Sequence, residues 1–282
     1  MSFKEGSLYI VATPIGNMGD MTARAIKTLG DVDVIAVEDT RRSGQLLRNF
    51  DISTPMIAVH EHNERQICDS LLERIEKGES IALISDAGTP LLSDPGYFLV
   101  NQAREKKLSV VPIPGVSAVI TALSVAGLPT DRFVFEGFLP AKSAARQQKL
   151  EKLKDDARTV IFYEAPHRIV EMLKDCQSVF GGQRKAVIAR ELTKTFETVH
   201  SDKLNNLISW VEADDNQKKG EFVVLLHGAA AREDTGVDAE SERILLILLK
   251  DLPVKQAAVI AASISGLKKN VLYQHALGLK GK

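Results

Sequence analysis

The residues able to do chemistry cluster in five short loops. In LISDAGTPLLSDPG (83–96) carboxylates and hydroxyls are interleaved with Gly88, Pro90, Pro95 and Gly96. VEDTRRSG (37–44) sets two acids before two arginines, and VHEHNE (59–64) mixes histidines with acids. TPIGNMGD (13–20) and PIPGVSA (112–118) carry the glycines and small side chains that let backbone approach a ligand closely. A nucleoside diphosphate would ask for a glycine-rich helix start with a lysine or arginine, and neither AGTPLLSDPG nor PGVSAV contains one. The loops suit a nucleoside or amino-acid-bearing ligand without phosphates. Proton acceptors are available among Glu38, Asp39, Glu61 and His62, and further along in Glu164, His167, Glu191 and Lys194.

Such loops need elements that bring them together. Each of the five follows a short β-branched apolar run: SLYIVAT, DVDVIAVED, PMIAVH, ESIALISD and LSVVPIPG. Helical spacing lies between the runs, as in 22–29 and in 64–77, where Ile67, Leu71, Leu72 and Ile75 recur on one face. Alternating strands and helices predict a parallel sheet covered on both faces, with ligands at the carboxyl ends of the strands. A turn alone explains any one of these loops, with Asp or Ser capping the next helix. Five of them at one sheet edge point to a binding site.

After AGLPTD, where Gly127 and Pro129 end the helix expected over 116–126, a second series begins. RFVFEGFL, RTVIFYEA, RKAVIARELT and EFVVLLHG are its strands, with helices near 144–154, 167–178 and 203–213. A polar linker, AAAREDTGVDAESER, precedes a tail with no strand-like run. The fold class is therefore α/β: two α/β domains, 1–126 and 127–230, with a small all-helical C-terminal module in 231–282. At 282 residues the chain is long enough for this division.

A net charge of -1 excludes a globally basic nucleic-acid binder, so any RNA affinity must be local. The two cysteines, Cys68 and Cys176, lie far apart and make no disulfide framework, which points to a reducing cytoplasm. No apolar run approaches the roughly 18 residues that span a bilayer, and the start MSFKEGSLYIVATP is not that of a secretory signal.

Taken together, YIVATPIGNMGD, VIAVEDTRRSG, HEHNE, ALISDAGTPLLSDPG, VPIPGVSAVITALSVAGLP, FVFEGFLP and VIFYEAPHR resemble the tetrapyrrole-methylase-type, S-adenosylmethionine-dependent methyltransferases. TPIGN, EDTR and SDAGTP mark the branch that methylates the 2′-hydroxyl of a cytidine in 16S ribosomal RNA of the small subunit. The resemblance runs from about residue 7 to the C-terminus and implies a homodimer with a cofactor cleft between the two α/β domains. On the first domain it places Pro14, Ser85, Asp86, Ala87, Gly88, Thr89 and Leu92 in that cleft, with Gly115, Val116, Ser117 and Ala118. Phe162, Tyr163, Ala189 and Phe222 of the second would close over the adenosine, although strand residues such as Phe162 and Tyr163 also serve as ordinary core.

Methyl transfer from a sulfonium needs no metal, only an in-line oxygen and a group to take its proton. Asp39 and Glu61 come first for that role because both follow strands at the ligand edge; Asp39 could instead pair with Arg41 or Arg42, and Glu61 could cap the helix near 64. Arg41, Arg42, Arg146, Arg168, Arg190 and Lys194 form a dispersed basic set for RNA phosphates. In the tail, LPVKQAAVIAASISGLKKNVLYQHALGL reads as helix, turn and helix, with five lysines including Lys268 and Lys269 and no acid from 254 onward. It is either a nucleic-acid contact or a helical hairpin completing the dimer. Two rivals remain at this point: a methyltransferase for a small tetrapyrrole-like molecule, and a non-catalytic regulator that senses the cofactor.

Overall fold

The computed structural model describes residues 6–60, 62–229 and 237–280. Strands β1 (Ser7–Val11), β2 (Val34–Val37), β3 (Met56–Ala58), β4 (Ile81–Ile84) and β5 (Ser109–Ile113) form a sheet in the order β3-β2-β4-β1-β5, all neighbours parallel. The crossovers contain helices α1 (Ala23–Asp31), α2 (Thr40–Arg48), α3 (Glu64–Glu76) and α4 (Tyr97–Glu105). Strands β2 and β4 read VIAV and IALI, and all of their residues are buried. The reason is that both sheet faces are covered. Val34, Ala36, Ile81 and Leu83 pack with Leu71 and Leu72 of α3 and Leu99 of α4, while Ile35, Val37, Ala82 and Ile84 pack with Leu29 of α1 and Leu47 of α2.

This order fixes where a ligand can sit. The chain leaves β1 toward α1 on one face and leaves neighbouring β4 toward α4 on the other, so a crevice opens between their carboxyl ends.

Helix α5 (Ala118–Val125) follows β5 but covers the second sheet, where Val119, Ala122 and Leu123 pack on Ile161, Val187, Val223 and Leu225. That sheet has the order β6-β7-β10-β8-β9, from β6 (Phe133–Phe138), β7 (Thr159–Glu164), β8 (Lys185–Arg190), β9 (Thr198–Lys203) and β10 (Phe222–Leu226). Only β6 and β7 are parallel; the other pairs are antiparallel, which makes this a mixed sheet. Strand β9 is an addition to the four strands expected from sequence. Its TVHSDK has no apolar run, and six register pairs with β8 hold it as an edge. Helices α6 (Ser143–Glu151), α7 (Ile169–Phe180) and α8 (Leu204–Ala213) cover the face opposite α5.

Residues through Ala229 form one compact unit that contains both sheets, and 230 onward forms a second. In the second, α9 (Ala239–Leu248), α10 (Val254–Ser265) and α11 (Lys269–Lys280) enclose Leu245, Ala257, Ala258, Ala261, Leu272 and Ala276. Gly266, at φ 74°, makes the left-handed turn between α10 and α11 that the sequence placed at 265–266. No helix among the described residues is long and apolar enough to cross a membrane.

Candidate functional site

A cavity of about 340 Å³ opens at the crevice and is closed by the facing edge of the second sheet. Ile15 follows β1, Ala87 to Thr89 and Leu92 to Asp94 follow β4, and Ser117 and Ala118 start α5. From the second sheet come Phe138 at the end of β6, Tyr163 to Pro166 at the end of β7, Ala189 and Leu192 around the end of β8, and Glu221 to Val223 at the start of β10. The size is that of a small-molecule site.

Backbone pairing explains why the loops hold this shape. Thr13 and Gly88 exchange hydrogen bonds of 2.9 and 3.0 Å, tying the loop after β1 to the loop after β4. Thr89 Oγ1 donates to the Val116 carbonyl at 2.9 Å, tying that loop to the start of α5. Gly88 takes φ 84°, a conformation that costs other residues energy. Leu91, Ser93, Glu191 and Thr193 adopt left-handed φ values of 73°, 71°, 51° and 67° beside the cavity, the kind of backbone strain that gathers at binding sites.

Gly115 has a different reason to be glycine, because a Cβ there would lie 2.9 Å from the Ala12 Cβ. Gly115→Val should cost about 1–3 kcal/mol by overpacking. Gly30→Ala, where the new carbon in α1 meets nothing within 4 Å, should stabilise by about 0.5–1 kcal/mol. Denaturant midpoints of the two variants moving in the same direction would refute this account of the close approach.

Among the described residues, the charged ones lining the cavity are Asp94, Glu164 and Glu221, with no lysine or arginine. Burial pushes Asp94 up from the ordinary carboxylate range, with the Asp86 charge adding to this and a hydrogen bond to Ser85 opposing it. Glu38, nearby, is raised by burial and by the charges of Asp86 and Asp94. Burial also raises Glu164, against the Ala165 N–H and Arg168. Glu164 Oε1 accepts from the Ala165 N–H at 2.8 Å and faces Arg168 Nε at 3.2 Å, whereas Oε2 and the buried Ser117 Oγ have no hydrogen-bond partner among the described residues. Burial pushes the Tyr163 phenol up to about 12, so it stays protonated at neutral pH. An acid-lined, partly apolar cavity with a spare hydroxyl fits a cationic nucleoside and disfavours a polyphosphate.

Of the residues expected to hold a cofactor, Ala87, Gly88, Thr89, Leu92, Ser117, Ala118, Tyr163, Ala189 and Phe222 line the cavity. Pro14, Ser85, Asp86, Gly115 and Val116 are not in its lining; Pro14 adjoins Ile15, and the others frame the loops that form it. Phe162 is corrected: it is fully buried on the face covered by α6 to α8, with Met172 and Leu173, because β-strand alternation turns it away from Tyr163. Ile15, Ser93, Asp94, Phe138, Leu192, Glu221 and Val223 were not anticipated. One signal pointed to Asp94: the SDPG of 93–96 repeats the SDAG of 85–88.

Asp39 serves as the N-cap of α2, accepting from the backbone N–H of Arg41 at 2.8 Å and of Arg42 at 3.4 Å. The hydrogen bonds from Arg41, backbone first, hold its carboxyl below the usual range, which weakens it as a base. Glu61 lies outside the described residues. The basic set divides. Arg41 and Arg42 are exposed, with Arg42 3.0 Å from Asp86, and Lys268 and Lys269 are exposed in the helical unit. Arg146 and Arg190 are corrected, because both are buried and spend their donors on Asp175 and on the carbonyls of Asn216 and Lys219. Arg168 donates to the carbonyls of Leu139 and Pro140, and Lys194 bridges Glu191 and Glu221.

Residues 7–208 match the family model of tetrapyrrole (corrin/porphyrin) methylases. The chain belongs to the tetrapyrrole methylase family. It is thereby an S-adenosylmethionine-dependent methyltransferase. Residues 235–280 of this methylase match a second model, the RsmI C-terminal HTH domain. Ribosomal RNA small subunit methyltransferase I of Pseudomonas aeruginosa is 54% identical over 278 residues, 98% of this chain and 99% of that one. The protein of the same name from Vibrio cholerae is 56% identical over 96% of this chain and 94% of its own. Among solved structures, diphthine synthase superposes with a TM-score of 0.61 at 15% identity, over 80% of this methylase and 91% of that chain. Uroporphyrin-III-C-methyltransferase of Thermus thermophilus gives 0.55 at 16%, over 78% and 94%. At such identities these two show the shared fold.

Proposed function

We propose that this methylase transfers a methyl group to the ribose 2′-hydroxyl of a cytidine in 16S RNA of the small ribosomal subunit. The observation that carries the acceptor is the likeness to small-subunit RNA methyltransferases along 98% of the chain, the helical unit included. The solved uroporphyrin methyltransferase is spanned over 94% of its length by 78% of this chain. A further segment thus distinguishes this chain from that small-molecule enzyme and favours RNA over a tetrapyrrole.

S-adenosylmethionine, when bound, supplies an already activated methyl group. The chain's task is to bind, orient and take a proton. Ala87 to Thr89, Leu92, Ser117, Ala118, Tyr163, Ala189 and Phe222 are the residues to hold the cofactor, with the acidic lining matching its positive charge. For the proton we assign Asp94 in preference to Asp39. It lines the cavity and burial raises its basicity, whereas Asp39 is held ionised at a helix cap. Arg41, Arg42, Lys268 and Lys269 offer exposed cations for RNA phosphates. The homodimer belongs to the same proposal, since Tyr97, Ile120 and Val125 expose apolar surface that a second copy can cover.

The test uses methyl-labelled S-adenosylmethionine and small subunits from cells lacking this gene. After alkaline cleavage, label should remain in one resistant dinucleotide, because a 2′-O-methyl group protects its own 3′ phosphodiester. Cofactor bound with no label in RNA would overturn the reading in favour of a small-molecule acceptor or a regulator.

A further inference from the structure

Four chain segments end in a row at the edge of the second sheet that closes the cavity. Phe222 pairs with both Glu164 and Arg190, and Arg190 pairs with Thr198, so the ends of β7 and β8 and the starts of β9 and β10 lie side by side. At sheet spacing the row is about 14 Å long. Beside it is a groove of about 690 Å³ lined by Pro166, His167, Val170, Asp215, Lys218, Lys219 and Gly220. It shares Pro166 with the cavity, and Gly220 leads directly into the cavity's Glu221. The charged residues in the cavity's described lining are all acids, but the groove brings two lysines and a histidine against one aspartate.

The lysines are lightly held. Lys218 is 2.7 Å from Asp215, whose side chain is 87% exposed, and Lys219 Nζ donates to Asn216 Oδ1 at 3.1 Å. Exposed pairs of this kind exchange readily for a phosphate. Across the row stands Phe196, 69% exposed on the loop after β8. A single exposed aromatic is ordinary; this one sits on a loop held by several charged contacts. Lys194 spans Glu191 and Glu221 at 2.8 and 3.0 Å, the Glu221 N–H donates to Glu191 at 3.0 Å, and the Thr193 N–H donates to Glu197 at 2.6 Å. Arg190 donates to the carbonyls of Asn216 and Lys219, so the loop that carries Phe196 and the loop that carries the two lysines are fixed to one another.

A nucleotide presented for reaction at its ribose has to be held at both ends, by its flanking phosphates and by its base. Single-stranded RNA is read in that way, with cations tracking the backbone and aromatic faces stacking on unpaired bases. We propose that this edge is the seat of the reactive nucleotide: Lys218 and Lys219, with His167, hold the adjoining phosphates, and Phe196 stacks on a base beside the cavity. The inference rests on the RNA reading above and adds the residues that place the ribose.

The experiment compares full-length wild type, Phe196→Ala, Phe196→Tyr and the double variant Lys218→Ala/Lys219→Ala. It measures kcat and KM for methyl transfer to small subunits, subunit binding against salt concentration, and cofactor affinity by calorimetry. The lysine variant should raise KM about tenfold or more and lower the salt slope of binding by about one to two. Phe196→Ala should raise KM about tenfold, and Phe196→Tyr should restore it. Cofactor affinity should stay within twofold. KM and salt slope unchanged in an active enzyme would overturn the seat and leave the RNA reading standing. A parallel loss of cofactor affinity would also overturn it, by showing a structural role. A wild type that transfers no methyl, with binding to subunits still weakened in the variants, would overturn the 2′-hydroxyl reading and support the seat. A wild type that binds no subunits would overturn both.

Discussion

Asp94→Asn should lower kcat for methyl transfer by about 10²- to 10⁴-fold, the usual contribution of a positioned proton acceptor. Asparagine preserves the size and an acceptor oxygen for the Ser85 hydrogen bond but cannot take the proton of a ribose hydroxyl. The pH profile separates this role from a structural one. Burial first, then the Asp86 charge, raise the folded-state pKa of Asp94 above its unfolded value. The charged form is therefore the disfavoured one in the fold, and stability linked to this group is present at low pH and lost as pH rises through the folded pKa. At pH 7 the asparagine variant should unfold at the same temperature as wild type or higher. Activity runs the other way, since the base must be ionised: wild-type kcat should fall as pH drops through the raised pKa, and this acid limb should vanish in the variant. A melting temperature that drops together with kcat would mark Asp94 as structural.

The first sheet was legible because its physics is local. Strands buried on both faces must be continuously apolar, and VIAV and IALI are so. The position of the cavity was legible for a similar reason, since small residues such as Gly88 and Ala118 are required wherever backbone closes on a ligand. What could not be read depends on partners far away in sequence. Strand β9 is held by its ladder to β8 and has no pattern of its own. Helix α5 looks like a cover for the sheet it follows, yet its apolar residues belong to the next one. Glu221 and Leu192 enter the cavity only because β10 runs antiparallel to its neighbours, which aligns its start with the end of β8. Arg146 and Arg190 misled because arginine is rarely buried, and a sequence does not show the acid or carbonyls that meet it inside.

Arg146 carries the other large expectation, a loss of about 3–5 kcal/mol of stability in Arg146→Ala. Its side chain is 1% exposed, and Nε lies 2.6 Å from Asp175 Oδ2 while Nη1 donates to the carbonyls of Pro140 and Ala141 at 3.4 and 3.2 Å. Arg168 donates to the carbonyls of Leu139 and Pro140 at 2.6 and 3.1 Å. The two arginines thereby clamp the segment that leaves β6 just after Phe138, a wall of the cavity. Alanine at 146 leaves the buried Asp175 carboxylate without its guanidinium, facing the neutral donors Ser143 and Gln147, and Arg146→Lys should recover only part of the loss because an ammonium lacks the guanidinium fork. The pH dependence checks the mechanism. Burial works to raise the Asp175 pKa, but hydrogen bonds from Gln147, Arg146 and Ser143 outweigh it and hold the carboxyl below its ordinary value. That stabilisation is present above the unfolded pKa of about 3.9 and is lost as pH falls through the lower folded value. In Arg146→Ala the hydrogen bond and the charge of the guanidinium are lost while burial remains, so Asp175 titrates higher than in the wild type and takes up a proton first as pH falls. The difference in unfolding free energy between the two proteins should be largest near pH 7 and shrink toward pH 4. A difference that stays constant over this range would locate the loss in packing and the carbonyl contacts, and the buried charge would have no part in it.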